Sequence, residues 1–311
     1  MKKQRIYNAS FGKRLGRDMK MNGSLYLLMI PVVVYFILFC YLPMYGIVMA
    51  FQNYAPALGF TGSPWVGMKW FVKFVNAPDF WPLLGNTLRI ALATLLFGFP
   101  APILLALLLN ELKSARLGKV IQNATYIPHF ISMVVSCSII RIFTADTGVI
   151  GSLYNTLTGS TGNMLNHAET FLPIYVISNI WQECGWGSII YLAALMGVDQ
   201  SLYEAAEVDG AGKLRKVISI TLPSILPTIV VMLIMRMGGM LNVGYEKILL
   251  LENSMTREVS EVISTYNYRR GIINQQWSYS AAVGLFNTVV NLILVEASNF
   301  ISRKVNGYAL W

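Results

Sequence analysis

The sequence predicts an all-α membrane protein with six transmembrane helices, and three observations carry that class. Hydrophobic residues form 55% of the 311-residue chain, mean hydropathy is +0.54, and charged residues contribute only 13%. That is about half of the roughly 25% charged residues usual in soluble domains. Six stretches are apolar enough, with Gly, Pro and single polar residues allowed, to supply the about 20 residues a helix needs to cross the hydrocarbon core. Lys and Arg gather in alternate connections between those stretches, as cytoplasmic loops require.

The segment before the first stretch, residues 1–24, carries Lys2, Lys3, Arg5, Lys13, Arg14, Arg17 and Lys20 against Asp18, and is expected to be cytoplasmic. The first stretch, about 25 to 49, far exceeds the 7–15-residue apolar region of a secretory signal, and no small-residue cleavage site follows it. It is expected to be a retained span. Residues 51–83 carry only Lys69 and Lys73, with Trp65, Trp70 and Trp81 where an interfacial aromatic belt would lie.

The second stretch, about 84 to 109, ends in NELKSARLGK, whose Lys113, Arg116 and Lys119 mark a cytoplasmic turn. The third runs about 121 to 143, and residues 144–170 after it contain no Lys or Arg. The fourth, about 172 to 197, leads into a basic loop over 199–223, and the fifth runs about 225 to 247. The outer loop that follows, about 248 to 280, carries Arg257, Arg269 and Arg270 against the general pattern. The sixth, about 281 to 302, precedes a tail, 303–311, with Arg303 and Lys304. Six spans place both termini inside.

Several classes are excluded or disfavoured. A net charge of +9 could suggest nucleic acid, but the basic residues are dispersed between apolar spans and build no aromatic-interleaved face. Cys40, Cys137 and Cys184 lie in apolar segments without metal-ligand spacing, so packing is expected. His129 and His167 are too far apart to found a metal cluster or a triad, so no metal ligands and no catalytic residues are assigned.

The loop SLYEAAEVDGAGKLRKVISITLP, residues 201 to 223, interrupts this apolar chain. Ser201 and Glu204 have capping-box spacing, so a helix is expected from about Leu202. Gly210 can end it in a left-handed conformation, and a second basic segment, KLRKVI, should run to a break at Pro223. From the residues alone, this is either an interfacial amphipathic loop or a docking surface in which Ala205 and Ala206 admit another backbone closely.

Glu204, Ala205, Ala206, Gly210, Ile220, Leu222 and Pro223 match in full the EAA-x3-G-x9-I-x-L-P signature of the inner-membrane permeases of binding-protein-dependent ABC importers. The chain resembles that family over nearly its whole length. VGMKWF (66–71), GNTLRIAL (85–92), YIPHFIS (126–132), WQECGWGSIIYLAAL (181–195) and NVGYEKILLL (242–251) look like carbohydrate-importer permeases. EVISTYNYRRGI (261–272), AAVGLFNTVVNLIL (281–294) and the final GYALW resemble the polysaccharide or aldouronate-type branch common in Gram-positive bacteria.

The resemblance implies a type I importer permease fold over residues 25–302, with a cytoplasmic coupling helix that docks on an ATPase. It implies alternating-access import of an oligosaccharide across the plasma membrane, with an extracellular solute-binding protein, a second homologous permease and two ATPase subunits as partners, in contact with membrane lipid and with no nucleic acid. No Walker A sequence occurs, so this chain is expected to bind no cofactor of its own, and ATP and Mg belong to the ATPase.

A charge at the bilayer centre costs about 2.5–3.5 kcal/mol on insertion scales and needs a partner or a wet cavity. Glu183 and Arg236 both fall near mid-span. They are either an ion pair holding two spans in register or, with Asn179, Trp181, Gln182, Trp186, Asn242 and Tyr245, part of a sugar path. Glu296 is expected at an inter-helix contact. Arg89 and Glu246 either pair or reach to the interface. An importer of a non-sugar solute and an ion-coupled secondary transporter are the alternatives, the latter expected to show paired repeats with broken helices.

Overall fold

The computed structural model describes residues 11–307, Ala309 and Leu310. Lys2, Lys3, Arg5, Tyr308 and Trp311 lie outside the described residues. Almost everything described is helical, and extended pairing is limited to one bridge between Gln52 and Trp65. The chain divides into two compact units at Gly67/Met68.

In the first unit, α1 (Phe11–Met21) precedes α2 (Gly23–Tyr35), which continues as helix to Phe51. No residue of α2 is buried, as suits an apolar helix surrounded by lipid. Trp65 folds back to stack on Phe51, with ring centroids 5.6 Å apart.

The second unit holds α3 (Lys69–Val75), α4 (Phe80–Ala93), α5 (Pro100–Asn110), α6 (Ala115–Tyr126), α7 (Met133–Thr144) and α8 (Val149–Thr158). Then come α9 (Ala168–Met196), α10 (Gln200–Val208), α11 (Leu222–Met237), α12 (Tyr245–Leu251), α13 (Ile263–Tyr268) and α14 (Trp277–Asn306). Among the described residues, five segments are long and apolar enough to cross a bilayer: Gly23–Phe51, Phe80–Asn110, Met133–Thr158, Lys213–Met237 and Trp277–Lys304. The fourth predicted stretch is α9, 29 residues long but outside that apolar set. It carries Asn179, Gln182 and Glu183, and eleven of its residues are buried by the surrounding protein.

Prolines shape the bundle through one recurring device. Widened turns at Phe36–Tyr41, Thr94–Gly98 and Val217–Thr221 each end two residues before a proline: Pro43, Pro100 and Pro223. A proline has no N–H to donate and its ring collides with the carbonyl four residues back; a π-type turn opens that space without ending the helix. The break expected at Pro223 is therefore absent, and helix runs unbroken from Lys213 to Met237.

Two predicted spans differ from expectation. The stretch 121 to 143 is not one helix: α6 stops at Tyr126, a 3₁₀ turn carries Pro128, and α7 restarts with the Ser132 hydroxyl accepting from the Val135 N–H at 3.3 Å. The fifth span ends at Met237, not 247, because Gly238 and Gly239 release the chain into a turn before α12. In the outer loop, Arg269 bridges the carboxylates of Glu252 and Glu261, which accounts for one of the arginines that broke the charge pattern there.

The backbones of α9 and α6 meet at Gly185. A Cβ there would stand 2.0 Å from the Thr125 carbonyl oxygen, so only glycine fits. Gly185→Ala should lower the melting temperature of the detergent-solubilised protein, overpacking of this kind costing about 1–3 kcal/mol. Gly118→Ala on α6, where nothing lies within 4 Å, should raise it instead, since Ala exceeds Gly in a helix by about 0.5–1 kcal/mol.

Candidate functional site

Two apolar cores bracket α9. Phe171, Ile174, Tyr175 and Val176 belong to one, with Val243, Ile248 and Leu251. Tyr191, Leu195 and Val198 belong to the other, with Ile103, Ala106 and Ile225. Between them lies a cavity of about 420 Å³. The α9 face that lines it carries Tyr175, Asn179, Glu183, Trp186 and Tyr191, a spacing of three to five residues that keeps one side of a helix in view. The opposite walls come from the widened turn at Thr94 and Gly98, from Arg236 on α11, and from Asn242 and Lys247 around the start of α12.

Of the residues predicted for a substrate path, Asn179, Glu183, Trp186, Arg236 and Asn242 meet at this cavity. Trp181, Gln182 and Tyr245 do not. Gln182, at the edge of the α9 face, donates to the Ser136 hydroxyl at 3.4 Å, and Trp181 turns outward, because at about 100° per residue it lies about 160° from both Asn179 and Glu183. Tyr245 packs instead beside Tyr268, with ring centroids 5.8 Å apart. Sequence reasoning missed Tyr175, Tyr191 and Lys247. The tyrosines were recoverable by continuing the helical face from Asn179, and Lys247 by its isolation within the apolar run YEKILLL.

Glu183 and Arg236 line the same cavity but form no ion pair. Glu183 receives His129 instead: Nδ1 lies 3.0 Å from Oε2, and the imidazole stacks on Trp186 with centroids 4.6 Å apart and planes 3° from parallel. The 3₁₀ turn at Pro128 swings His129 against α9, which matching depth along two spans could not reveal. His129 thus positions the carboxylate and the indole. Arg89 and Glu246 do not pair with each other either; Glu246 accepts from the Tyr245 hydroxyl at 3.5 Å.

The loop after α9 forms one short helix, α10, and then the start of the long helix Lys213–Met237, and the capping of α10 differs from expectation. Asp199, not Ser201, caps α10, its Oδ1 accepting from the Ser201 N–H at 2.9 Å; this bond holds its carboxyl below the usual carboxylate range. The Ser201–Glu204 box does not form, because Ser201 already lies inside the helix. Gly210 adopts φ +70°, the left-handed conformation expected of it.

Two contacts fasten α10 to the following helix. The Tyr203 and Thr221 hydroxyls are 2.9 Å apart, and Lys216 Nζ meets Glu207 Oε1 at 2.5 Å, which keeps the Glu207 carboxyl below its usual range. Ile220 and Leu222 pack against the apolar core at this end of α9, whereas Glu204, Ala205, Gly210 and Pro223 are exposed and Ala206 is half-buried. The signature thus divides into residues that anchor the loop and residues that face outward.

The family described as binding-protein-dependent transport system inner membrane component matches residues 98–307. Protein LplB of Bacillus subtilis (strain 168) is 48% identical over 294 residues, spanning 94% of this chain and 92% of LplB. The polygalacturonan/rhamnogalacturonan transport system permease protein YteP of the same organism is 47% identical, spanning 96% of this chain and 94% of YteP. A solved bacterial alginate ABC transporter, in complex with alginate pentasaccharide-bound periplasmic protein, contains a chain that superposes with TM-score 0.86 at 40% identity. The superposition covers 96% of this chain and all of that one.

The Glu183 contacts generate a test by double-mutant cycles on thermal stability. Glu183→Gln with His129→Gln should show a coupling of about 0.5–1 kcal/mol, the low end for contacting residues, because both side chains are partly exposed. Glu183→Gln with Arg236→Gln should be additive within about 0.5 kcal/mol. Coupling in the second cycle and additivity in the first would refute this pairing.

Proposed function

The chain belongs to the family of binding-protein-dependent transport system inner membrane components, and from that premise we propose that its α9 cavity is the oligosaccharide path and its 199–223 loop the coupling element. The protein is the permease subunit of an ATP-driven importer that takes an oligosaccharide from an extracellular binding protein, and it is not itself an enzyme. It sits as a multi-span protein in the cell membrane beside a second permease and two ATPase subunits. ATP and Mg are handled by those ATPases, and the cell is Gram-positive.

One observation carries the reading: both arms of the coupling loop run to the cavity. From Met196, α9 rises about 20 Å to Glu183 at 1.5 Å per residue. From Thr221, α11 rises about 22 Å to Arg236 by the same measure. The Tyr203–Thr221 and Glu207–Lys216 contacts join the two arms at the base. A displacement of α10 is thereby delivered as relative movement of two cavity walls, which is what alternating access requires. Asn179 and Asn242 supply amide donors and acceptors for sugar hydroxyls, and Trp186 a flat face for a sugar ring.

The membrane-spanning domain runs over residues 25–302, with residues 1–24 and 303–311 as cytoplasmic segments. Cysteine labelling tests this orientation. On a background lacking Cys40, Cys137 and Cys184, Thr161→Cys should react with an impermeant thiol reagent from outside, and Lys113→Cys only after permeabilisation. Reversed labelling overturns the cytoplasmic placement of the loop.

Coupling is tested on the outward face of α10. Ala205 is exposed while Ala206 is half-buried, so Ala205→Arg probes docking without disturbing the permease's own packing. The variant should insert normally, and ATP hydrolysis stimulated by loaded binding protein in the reconstituted importer should fall at least about tenfold, equivalent to about 1.4 kcal/mol. Unchanged stimulation would show that α10 does not dock through this face.

A further inference from the structure

We propose that the outer end of the bundle binds an anionic phospholipid, whose headgroup phosphate is held by Lys69, Lys73 and Arg270 in a cavity between α3 and the starts of α4 and α14. The site is separate from the α9 cavity, and only the leaflet that supplies the lipid rests on the orientation proposed above.

The cavity has a volume of about 540 Å³, and its walls include the three cations, Val72, Asp79 and the buried Tyr279. Its depth follows from the chain. Asp79 immediately precedes α4, Gln276 on the same wall immediately precedes α14, and both helices begin membrane-crossing segments. The cavity therefore lies at the boundary between water and hydrocarbon, where lipid headgroups sit. The Gln276 N–H donates to the Arg270 carbonyl at 2.9 Å, which holds Arg270 at that boundary.

The cations are short of anionic partners. Lys69 Nζ lies 5.0 Å from the Trp70 ring centroid, and Lys73 Nζ lies 5.3 Å from the same centroid and 5.6 Å from that of Tyr279. Ring faces attract ammoniums but accept none of their N–H donors conventionally. Among the described residues neither lysine has a carboxylate partner, and Arg270 meets Asp79 only at 3.6 Å, too far for a hydrogen bond. Three cations thus face one carboxylate. Two ammoniums beside one indole repel each other, and a phosphate between them offsets that repulsion while accepting from the guanidinium.

The apolar surroundings decide which anion fits. Val72 on the wall is exposed, and so are Val75, Trp81, Ile272 and Ile273, each within three residues of a lining position. A soluble anion leaves these side chains uncovered, whereas a phospholipid brings acyl chains with its phosphate; basic pockets between spans bind lipid headgroups in this way.

The test places p-benzoylphenylalanine at Val72 in the complete importer, reconstituted in equimolar phosphatidylglycerol and phosphatidylcholine. Both lipids carry the phosphate, but choline cancels its charge. After illumination, phosphatidylglycerol adducts should exceed phosphatidylcholine adducts at least about fivefold, the contribution of a single cation near a membrane surface. Lys69→Gln with Lys73→Gln should bring the ratio close to parity, and Lys69→Arg with Lys73→Arg, which keeps both charges, should preserve it.

Parity in the wild type, or an unchanged ratio in the glutamine variant, overturns the proposal. A ratio that collapses in inorganic phosphate but not in chloride of equal ionic strength assigns the cavity to a soluble phosphate and overturns the lipid. Adducts with the binding protein in place of lipid assign it to an acidic segment of that protein, with the same result. The crosslink is read without transport, so its failure leaves oligosaccharide import standing, and a failure of import leaves the lipid site standing.

Discussion

A long helix carrying amides and a carboxylate at mid-span cannot face hydrocarbon, and most of the molecule follows from the need to enclose α9. Its Thr170, Ser178, Gln182 and Ser188 are all buried by neighbouring helices. Enclosure demands close approach, which Gly185 permits by admitting the α6 backbone at Thr125, and Gly187 by admitting Pro102. Asn179 and Glu183 face the gap between the two apolar cores, where His129 reaches the Glu183 carboxylate. Cavity and enclosure are therefore consequences of the same sequence of residues on one helix.

The electrostatics of that gap are set by which neighbour reaches Glu183 first. A proline-induced turn brings His129 into hydrogen-bond contact and stacks it on Trp186, leaving Arg236 and Lys247 without a carboxylate of their own. Elsewhere the protein pairs its buried charges fully: Arg269 sits between Glu252 and Glu261 in the outer loop. The arginine outside the cavity is thus held by two carboxylates, whereas the lysine on the cavity wall meets only the face of Tyr175.

Rigidity along the helix axis links this site to the loop. The backbone hydrogen bonds of α9 make it a stiff rod, and the widened turn at Val217–Thr221 lets the second arm keep its helical continuity past Pro223. The breaks on this path are the short non-helical connections at 197–199 and 209–212, on either side of α10. The signature residues Ile220 and Leu222 serve that continuity from inside the fold, whereas Glu204 and Ala205 are exposed on α10.

The sequence by itself determined the class and much of the plan. Apolar length, the Lys/Arg census and the seven matched loop positions specify a helical permease and locate its coupling loop, because these features depend on composition and local spacing. Gly210's left-handed turn was legible for the same reason. Five of the eight residues expected on a substrate path line the α9 cavity, and three of them, Asn179, Glu183 and Trp186, share one helical face, which can be read as a periodicity. Only the tertiary structure decided which residues meet across helices. That Asp199 rather than Ser201 caps α10, that Pro223 passes within a continuous helix, and that His129 rather than Arg236 engages Glu183 depend on local turn geometry and on how far a chain swings at Pro128. The isolation of Lys247 was decided in the same way, because a side chain lacks a partner only by virtue of everything packed around it, and no spacing along the chain encodes that.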